Sequence, residues 1–504
     1  MESKESQISS SINASDIEKR EQNIGFIDDS LKDKQVEQLA QDLGIDHKKL
    51  MWKIDLCVIP PLSLLYFLAF LDRVNISNAK VYGITKSLGL KGDQFNTCLT
   101  LFFVPYIFFE IFSNYALKTI KPHTWLSGCI FLFGCITIGM GFTKNFGGLA
   151  ACRFLLGIFE SGSFPAIFYI LSTFYSSKES QRRFSAFFSC TCLAGGAGGA
   201  IAYKIKELDG RYGIHSWQWI FIVEGTFTAG LALLLYFIVP DFPENSRFLN
   251  EQERKFIKKK LEIYSSDSGF EIKNTLGDVA RMFKDPIIWV TALAYFGLIV
   301  PAYGYAYFAT SIISSMGYTG SAANERSIYP WICAFGYTNI ISFASDYYKK
   351  RIHFTMVNAV VAIAGLAIVL GCQNNSEARY AGCFLSAIGL YSAMPLLICW
   401  TSLNYGGHLR KGTGTAFFVG FGNIGGIIST YIFLAEDSPR YVKGLSICIA
   451  FTVFSMVFML AYFGVLYKSN KDKQTKEYQE KFLNLPPREQ ILSGDKNPSF
   501  KYLY

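Results

Sequence analysis

The sequence predicts an all-α polytopic membrane protein with twelve transmembrane helices in two six-helix bundles. Of its 504 residues, 51% are hydrophobic and only 17% are charged. The apolar residues fall into segments near the length of about 20 residues that a helix needs to cross a bilayer. The charged residues lie mainly at the two ends, in one central block and in short connections. This number of apolar segments excludes a soluble enzyme, so no catalytic residues are expected.

Six apolar segments precede the central charged block and six follow it. Predicted spans 1 to 6 cover residues 54–71, 95–117, 124–142, 147–173, 185–203 and 217–239. Predicted spans 7 to 12 cover residues 287–313, 328–345, 354–372, 380–402, 413–433 and 443–467. The predicted domains are a disordered cytosolic tail (1–50), a first bundle (51–239), a cytosolic central loop (240–286), a second bundle (287–467) and a cytosolic C-terminal tail (468–504). The first tail is polar and lacks the pattern of a cleavable signal.

Basic residues indicate the orientation of the chain. They concentrate in the connections that share a side with both termini, including Lys178, Arg182, Lys349 and Arg410. Because cytosolic loops are enriched in Lys and Arg, both termini are predicted to be cytosolic. The net charge of +9 is dispersed over loops, so nucleic acid is not expected as a partner. The twelve cysteines form no CxxC pair and the histidines no cluster, so no disulfide framework, metal or other cofactor is expected.

Span 4 carries ionisable residues in the run from Arg153 to Pro165, inside a long apolar segment. At about 100° per residue, Arg153 and Glu160 return to one helix face roughly 10 Å apart, with Gly157 between them. Ionisable groups at membrane depth usually face a cavity or a partner helix. The stripe is therefore predicted to form a substrate and proton path. The alternative is an ion pair of Arg153 with Glu160 or Glu110 that only holds helices together.

Other charged groups offer alternatives for these roles. Glu110 in span 2 and Glu224 near the start of span 6 are further candidates for proton coupling, or else partners in helix packing. At the end of span 1, Arg73 and Asn75 follow Asp72 and are candidates for substrate binding. An ion pair of Asp72 and Arg73 that reaches water at the membrane interface is the alternative.

The second six spans have almost no charged residues but many aromatic and amide groups. These residues can stack against a flat ring while the first half holds a carboxylate. The candidates for substrate binding are Tyr303, Tyr307, Tyr337, Trp400 and Asn423, and the same half also contains Tyr305, Trp331, Asn339, Tyr391 and Asn404. Most aromatic residues at helical spacing are packing or interfacial residues, which is the alternative for each.

Two motifs are candidates for gating. The end of span 8, with Asp346, Lys350 and Arg351, resembles the loop signature of the major facilitator family, in which an acid and basic residues latch helix ends. The alternative is that these charges only determine the membrane topology of the chain. Span 5 contains a run of Gly and Ala, including Gly195 and Gly199, that lets helices approach and slide, or simply pack. Six plus six spans predict two bundles with a site between them near the midplane.

Four segments carry a more specific resemblance. They are Asp72–Ala79, Arg153–Pro165, Trp217–Gly225 and Ser493–Tyr502. Together they are similar to the fungal allantoate permease family, a branch of the anion:cation symporters within the major facilitator superfamily. The resemblance covers nearly the whole chain beyond residue 50, and the tail and the Asp72 and Trp217 segments are most similar to members that carry nicotinic acid.

The resemblance implies a proton-coupled importer of a small organic monocarboxylate at the plasma membrane, working as a monomer with the lipid bilayer as its surroundings. Animal relatives in the wider anion:cation group carry an Arg and a Glu seven residues apart on span 4, which by position become Arg153 for the carboxylate and Glu160 for the proton. The same relatives have an Arg near the end of span 1, which matches Arg73. Span 7 has no Lys or Arg, which favours a monoanion. Other family anions remain alternatives: allantoate, ureidosuccinate, other vitamin carboxylates, sulfonates, cysteine or dipeptides. A nutrient receptor with this fold but no net flux is an alternative of another class.

Overall fold

Twelve long helices form the frame of the protein. The computed structural model describes residues 29–265, 277, 282–318, 320–406, 410–486, 490, 494–498 and 500–504. Spans 1 to 6 are His47–Val81, Gln94–Thr119, Pro122–Gly141, Phe146–Glu160 continued by Ser163–Phe174, Ser177–Ile205, and Ser216–Ile238. Spans 7 to 12 are Pro286–Ser314, Ser321–Tyr348, Arg351–Gly371, Ser376–Asn404, Thr415–Ile432 and Val442–Asp472. The predicted fold of two six-helix bundles is confirmed.

Ten spans of the described chain are long and apolar enough to cross a membrane. The other two, Gln94–Thr119 and Ser321–Tyr348, occupy the positions of spans 2 and 8. Span 8 carries Asn324, Glu325 and Arg326 in its first turns, which lowers its apolar character. Both helices pack between neighbours of their own bundle and also face the other bundle, span 2 against span 11 and span 8 against span 5.

The expectation of a disordered tail over residues 1–50 is wrong for its last part, while residues 1–28 lie outside the described chain. A helix covers Asp29–Asp42 and packs on the amphipathic helix Glu251–Ser265 of the central loop. Tyr264 donates a hydrogen bond of 2.6 Å to Asp33 across this contact. The helix has a polar composition overall, but one of its sides carries apolar residues such as Val36, which is buried. Span 1 then begins at His47, with the Asp46 side chain as its N-cap.

Span 1 is longer than predicted. It continues ten residues beyond the expected end at position 71, and Asp72 and Arg73 are 0% and 2% exposed. These two residues therefore do not form an ion pair at the membrane interface. The helix can bury this polar stretch because its neighbours supply polar groups, among them Glu160.

Span 4 is broken in the middle of the bundle. Its first helix ends at Glu160 and the second begins at Ser163. Pro165 has no backbone N–H, so it cannot continue the hydrogen-bond ladder to Ser161. Gly157 lies where span 4 crosses span 2, and a Cβ there would overlap the carbonyl oxygen of Phe102. The break places the Glu160 carboxylate at the inner surface of the bundle.

The two bundles touch at both ends of the molecule. We call the end that carries residues 47–55, 176–183 and 346–351 the terminal end, and the opposite end the far end. At the terminal end, Arg182 Nε lies 3.3 Å from Asp346, and Arg351 lies 3.4 Å from the same carboxylate, whereas Lys350 is exposed. The acid of the span 8 motif therefore bonds across the seam between the bundles.

Hydroxyl and amide groups contribute to the contact between the bundles at the far end. Thr310 of span 7 donates to Asn78 of span 1 at 3.3 Å, and the hydroxyls of Thr100 and Thr430 are 2.6 Å apart. Span 5 lies directly on span 8 near this end, because a Cβ at Gly195 would come within 2.6 Å of the Trp331 ring. Its run of small residues thus forms a close contact between the bundles.

The C-terminal tail docks on the terminal end of the second bundle. Asp495 is fully buried, and Arg410 donates to both of its oxygens at 2.6 and 2.5 Å. Arg410 also pairs with Asp285, which precedes span 7. Burial raises the pKa of Asp285, but Arg410 and Lys496 lower it by more, so that the pKa lies below its ordinary value. The tail thus ties together the ends of several spans.

Candidate functional site

A narrow cavity lies between the two bundles, at the middle of the helices. Its walls are mostly aromatic, and its polar groups are few. The lining residues are Tyr66, Phe70, Arg73, Tyr106, Phe164, Phe188, Tyr295, Ile299, Ala302, Tyr303, Tyr391, Met394, Val419 and Asn423. Both bundles contribute to the walls, so a bound molecule would contact the two halves at once.

Arg73 is the cation of this cavity. Its Nε donates to Glu160 Oε1 at 2.8 Å, and a second guanidinium nitrogen contacts the same oxygen. A third nitrogen donates to the hydroxyl of Tyr303 in the second bundle. The guanidinium carbon lies 5.2 Å from the ring centres of both Phe102 and Tyr106. A buried, charged guanidinium group that is surrounded by aromatic rings is suited to bind an aromatic carboxylate.

The spacing along span 1 produces this arrangement. Tyr66, Phe70 and Arg73 follow each other at intervals of four and three residues, so they share one helix face. The break in span 4 brings Glu160 to this face from the other side. Its second oxygen, Oε2, is buried and has no hydrogen-bond partner among the described residues. A proton could therefore be held at Oε2 without breaking another bond.

Arg153 does not line the cavity, although the sequence pattern placed it there. It is completely buried, and among the described residues its one hydrogen bond is to the backbone carbonyl of Arg73 at 3.4 Å. Its Nε and one terminal nitrogen have no hydrogen-bond partner within the described chain. The expected pairing of Arg153 with Glu160 or Glu110 is replaced by the pair of Arg73 with Glu160. Helical spacing could not reveal this because the partner comes from another span.

A second group of buried acids lies beside Arg153, within the first bundle. Asp72 and Glu224 are both 0% exposed, and none of their four oxygens has a hydrogen-bond partner in the described part of the chain. The two carboxyl groups interact with each other, and Asp72 also interacts with Arg153 and Glu160. The hydroxyl of Thr228 lies next to Asp72. Glu224, expected as a proton candidate, is therefore close to the Arg153 side of the site but outside the cavity.

Glu110 and Asn423 form the other polar part of the site. Asn423 of span 11 lines the cavity, and its amide interacts with the Glu110 carboxyl of span 2. Glu110 is 5% exposed, and its Oε1 has no hydrogen-bond partner among the residues described. Gly420 of span 11 lies beside this carboxyl, since a Cβ there would be in van der Waals contact with Glu110 Oε2 at 3.5 Å. The contact connects the two bundles beside the cavity.

The remaining candidates lie outside the cavity. Tyr307 stacks on Tyr303 with ring centres 6.0 Å apart, and Asn75 packs against Gly198 of span 5. Tyr337 is half-buried and is not among the lining residues. Trp400 is not among the lining residues, and its Nε1 donates to the carbonyl of Leu503 in the docked tail at 2.9 Å. Trp400 can make this contact because it lies near the end of span 10, where the tail docks.

Sequence reasoning missed the aromatic wall of the first bundle. Tyr66, Phe70, Tyr106, Phe164 and Phe188 all line the cavity, whereas the prediction assigned ring stacking to the second half. The signal was present in span 1, where two aromatic residues precede Arg73 on one face. Apolar spans contain so many aromatic residues that this signal is weak without the structure.

Comparison with known proteins agrees with this architecture. The family model described as Major Facilitator Superfamily matches residues 62–430. The high-affinity nicotinic acid transporter of Saccharomyces cerevisiae is 36% identical over 91% of this chain and 85% of its own. An uncharacterized transporter of Schizosaccharomyces pombe is 31% identical over 85% of this chain and 86% of its own.

Solved structures show the same fold at low sequence identity. The proton:xylose symporter XylE, bound to 6-bromo-6-deoxy-D-glucose, has a TM-score of 0.65 at 15% identity and covers 83% of this chain and 96% of its own. A bacterial homolog of the human lysosomal transporter Spinster, in an inward-facing conformation, has a TM-score of 0.58 at 16% identity, with 80% and 95% covered. The chain therefore belongs to the major facilitator superfamily and is a membrane transporter.

Proposed function

We propose that this transporter imports a small organic monocarboxylate, nicotinate, together with protons across the plasma membrane, with both termini in the cytosol. The observation that carries the proposal is the buried Arg73 guanidinium, which faces an aromatic cavity between the bundles and is held by Glu160. The similarity to a nicotinic acid transporter over nearly the whole chain supports the choice of substrate. Other family anions are the competing substrates.

The pair of Arg73 and Glu160 suggests how a proton is coupled to the anion. A proton taken up by Glu160 from the outside removes its negative charge, so the Nε edge of Arg73 is free to bind a carboxylate through two parallel hydrogen bonds. The carboxylate then replaces Glu160 as the counterion of Arg73. Without a proton, Glu160 occupies that edge and competes with the substrate. Binding of the anion and of the proton thus favour each other.

The aromatic walls and the second polar group suggest selection of a heteroaromatic ring. Tyr303 and Tyr106 contact the guanidinium and can stack on a flat ring beside it. Asn423 can donate a hydrogen bond from its amide to a ring nitrogen, which is an acceptor. The ring nitrogen and the carboxylate would then be recognised by different bundles, so binding would promote closure around the substrate.

Arg153 and the acids Asp72 and Glu224 have supporting roles in this proposal. Arg153 holds the backbone of Arg73 at 3.4 Å and keeps a positive charge near the site. Asp72 and Glu224 offer a place for a further proton. One proton per monoanion gives electroneutral uptake, whereas a second makes uptake responsive to the membrane potential, at about 2.3 kcal/mol per charge per 100 mV.

Uptake of radiolabelled nicotinate by cells that lack their own carrier tests the proposal. The wild type should show uptake that increases at acidic outside pH and is abolished by an uncoupler. Unlabelled nicotinate should compete, whereas benzoate, which lacks the ring nitrogen, should compete at least tenfold less well. Allantoate, sulfonates and dipeptides should not compete.

Variants assign the roles in the same assay. Arg73→Met should abolish uptake, and Glu160→Gln should abolish its dependence on outside pH. Tyr337→Phe, an aromatic change outside the cavity, is the matched control and should behave as the wild type. Absence of uptake by well-expressed wild type would refute nicotinate import, and binding without any uptake would point to a receptor.

A further inference from the structure

We propose that Lys80 is a first binding station for the organic anion, located at the far end of span 1, seven residues beyond Arg73. The inference rests on the proposed function for the direction of transport, which makes the far end the outer side. It adds a second cationic site to the path, one for a small monocarboxylate on its way to the cavity.

Lys80 is held in an unusual way for a lysine. Its ammonium nitrogen lies 4.7 Å from the ring centre of Phe95 and 4.9 Å from that of Phe308. Both rings are buried, and they belong to different bundles, Phe95 to span 2 and Phe308 to span 7. No carboxylate of the described residues forms an ion pair with Lys80. The two rings are attractive partners for the ammonium, but neither balances its charge.

The position of Lys80 relates it to the cavity. Lys80 follows Arg73 by seven residues in one continuous helix, so both side chains leave the same face roughly 10 Å apart. Tyr303 contacts Arg73 and Phe308 contacts Lys80, and span 7 therefore runs beside span 1 at both levels. The two cations thus lie in sequence along the seam between the bundles.

Aromatic rings separate the two cations in this conformation. Phe103 contacts both Tyr303 and Tyr307 edge to face, with ring centres 5.1 and 6.2 Å apart. The Tyr307 hydroxyl is buried among them and has no hydrogen-bond partner in the described chain. Tyr307 lies in span 7 between Tyr303, which contacts Arg73, and Phe308, which contacts Lys80. An anion passing along the seam would meet Lys80, then Tyr307, then Arg73.

Opening of the far end would change the surroundings of Lys80. Separation of the bundles removes Phe308, which moves with the second bundle, and leaves the ammonium facing water in a cleft with apolar walls. Such a cleft focuses the field of a charge and raises the local concentration of the opposite ion, with effects of 10-fold or more on association. A carboxylate also forms a charge-assisted hydrogen bond with an ammonium, which a phenyl ring cannot do.

The kinetic test compares Lys80→Met, which keeps the length and removes the charge, with Lys80→Arg, which keeps the charge. Lys86→Met, an exposed lysine at the same end, is the control. The initial rate of radiolabelled nicotinate uptake is measured against concentration at low and at physiological ionic strength. Lys80→Met should raise KM about tenfold, change Vmax less than twofold and lose the salt dependence. Lys80→Arg and Lys86→Met should remain close to the wild type.

Two results would overturn the proposal in this assay. One is an unchanged KM and salt dependence in Lys80→Met. The other is a lower Vmax at unchanged KM in Lys80→Met, with the same change in Phe308→Leu. This result would mean that the contact of Lys80 with Phe308 only holds the two bundles together.

A second measurement does not depend on transport. Acylation of Lys80 by a membrane-impermeant amine reagent, followed by mass spectrometry, should be slowed by nicotinate or benzoate and not by nicotinamide, which lacks the carboxylate. If nicotinate or benzoate slows the acylation of Lys80 but no nicotinate is taken up, Lys80 binds the anion as proposed and the proposed transport substrate is refuted. Acylation that no monocarboxylate slows would overturn the station, whatever the transport result.

Discussion

Removal of Arg73 should expose how strongly the cavity depends on its buried ion pair. The Arg73 and Glu160 side chains are 3% and 0% exposed, and Nε of Arg73 is 2.8 Å from the carboxylate. Removing one partner of such a pair leaves the other charge uncompensated and costs about 3–5 kcal/mol. We therefore expect Arg73→Met to lower the free energy of unfolding by about this amount.

Glu160→Gln added to Arg73→Met should restore most of that stability. The neutral amide no longer needs a counterion, so the double variant is expected to be destabilised by only about 1–2 kcal/mol relative to the wild type. Transport should remain absent in the double variant, because the carboxylate anchor is still missing. The double variant should therefore regain stability without regaining transport.

The assay is a double-mutant cycle on the purified protein in detergent micelles, with unfolding followed by the tryptophan fluorescence. Glu160→Gln alone leaves the Arg73 charge unpaired and should also cost about 3–5 kcal/mol, so the predicted coupling between the two sites is at least about 4 kcal/mol. Additive effects, with coupling below about 0.5 kcal/mol, would mean that the two side chains do not form a functional pair, and they would refute the reasoning.

Three further predictions concern the seam and the tail. Gly195→Ala places a Cβ 2.6 Å from the Trp331 ring and should lower uptake at least tenfold, whereas Gly196→Ala, with 3.5 Å to the same residue, should have little effect; comparable uptake in both variants would contradict the close contact. Asp495→Asn removes the buried charge by which the tail binds Arg410 and should destabilise the protein by about 3 kcal/mol, seen as faster tryptic cleavage of the tail; an unchanged cleavage rate would contradict the docking. Because the pKa of Asp285 is lowered in the folded state, its ionised carboxylate stabilises the protein above a pH of about 4, and this stabilisation is lost as the pH falls further. The rate of hydrogen exchange in the tail should therefore rise below that pH in the wild type, and this pH dependence should be absent in Asp285→Asn.

The helices could be predicted from the sequence because apolar length is a property of consecutive residues. All twelve predicted spans correspond to observed helices, and the acid of the span 8 motif lies at the seam between the bundles. Span 1 was predicted too short because Asp72 to Asn78 resemble residues at a membrane interface. Their burial depends on polar groups of other helices, which hydropathy does not contain.

The pairing inside the site could not be predicted for the same reason. Arg153 and Glu160 share a face of one helix, and spacing alone suggested that they act together. The break after Glu160 directs its carboxylate to Arg73 of span 1 instead, and Arg153 contacts the backbone of that residue. The docked tail was also missed, because Asp495 lies in a polar segment and only its contact with Arg410 shows that it is buried.

Uptake into proteoliposomes that contain only the purified protein tests the central claim most directly. An inward proton gradient is imposed at zero membrane potential, and the accumulation of radiolabelled nicotinate is followed with time. We expect transient accumulation above equilibrium that requires the gradient, disappears with an uncoupler and is absent in Arg73→Met. Equal uptake with and without the gradient, or normal accumulation in Arg73→Met, would contradict proton-coupled uptake through Arg73.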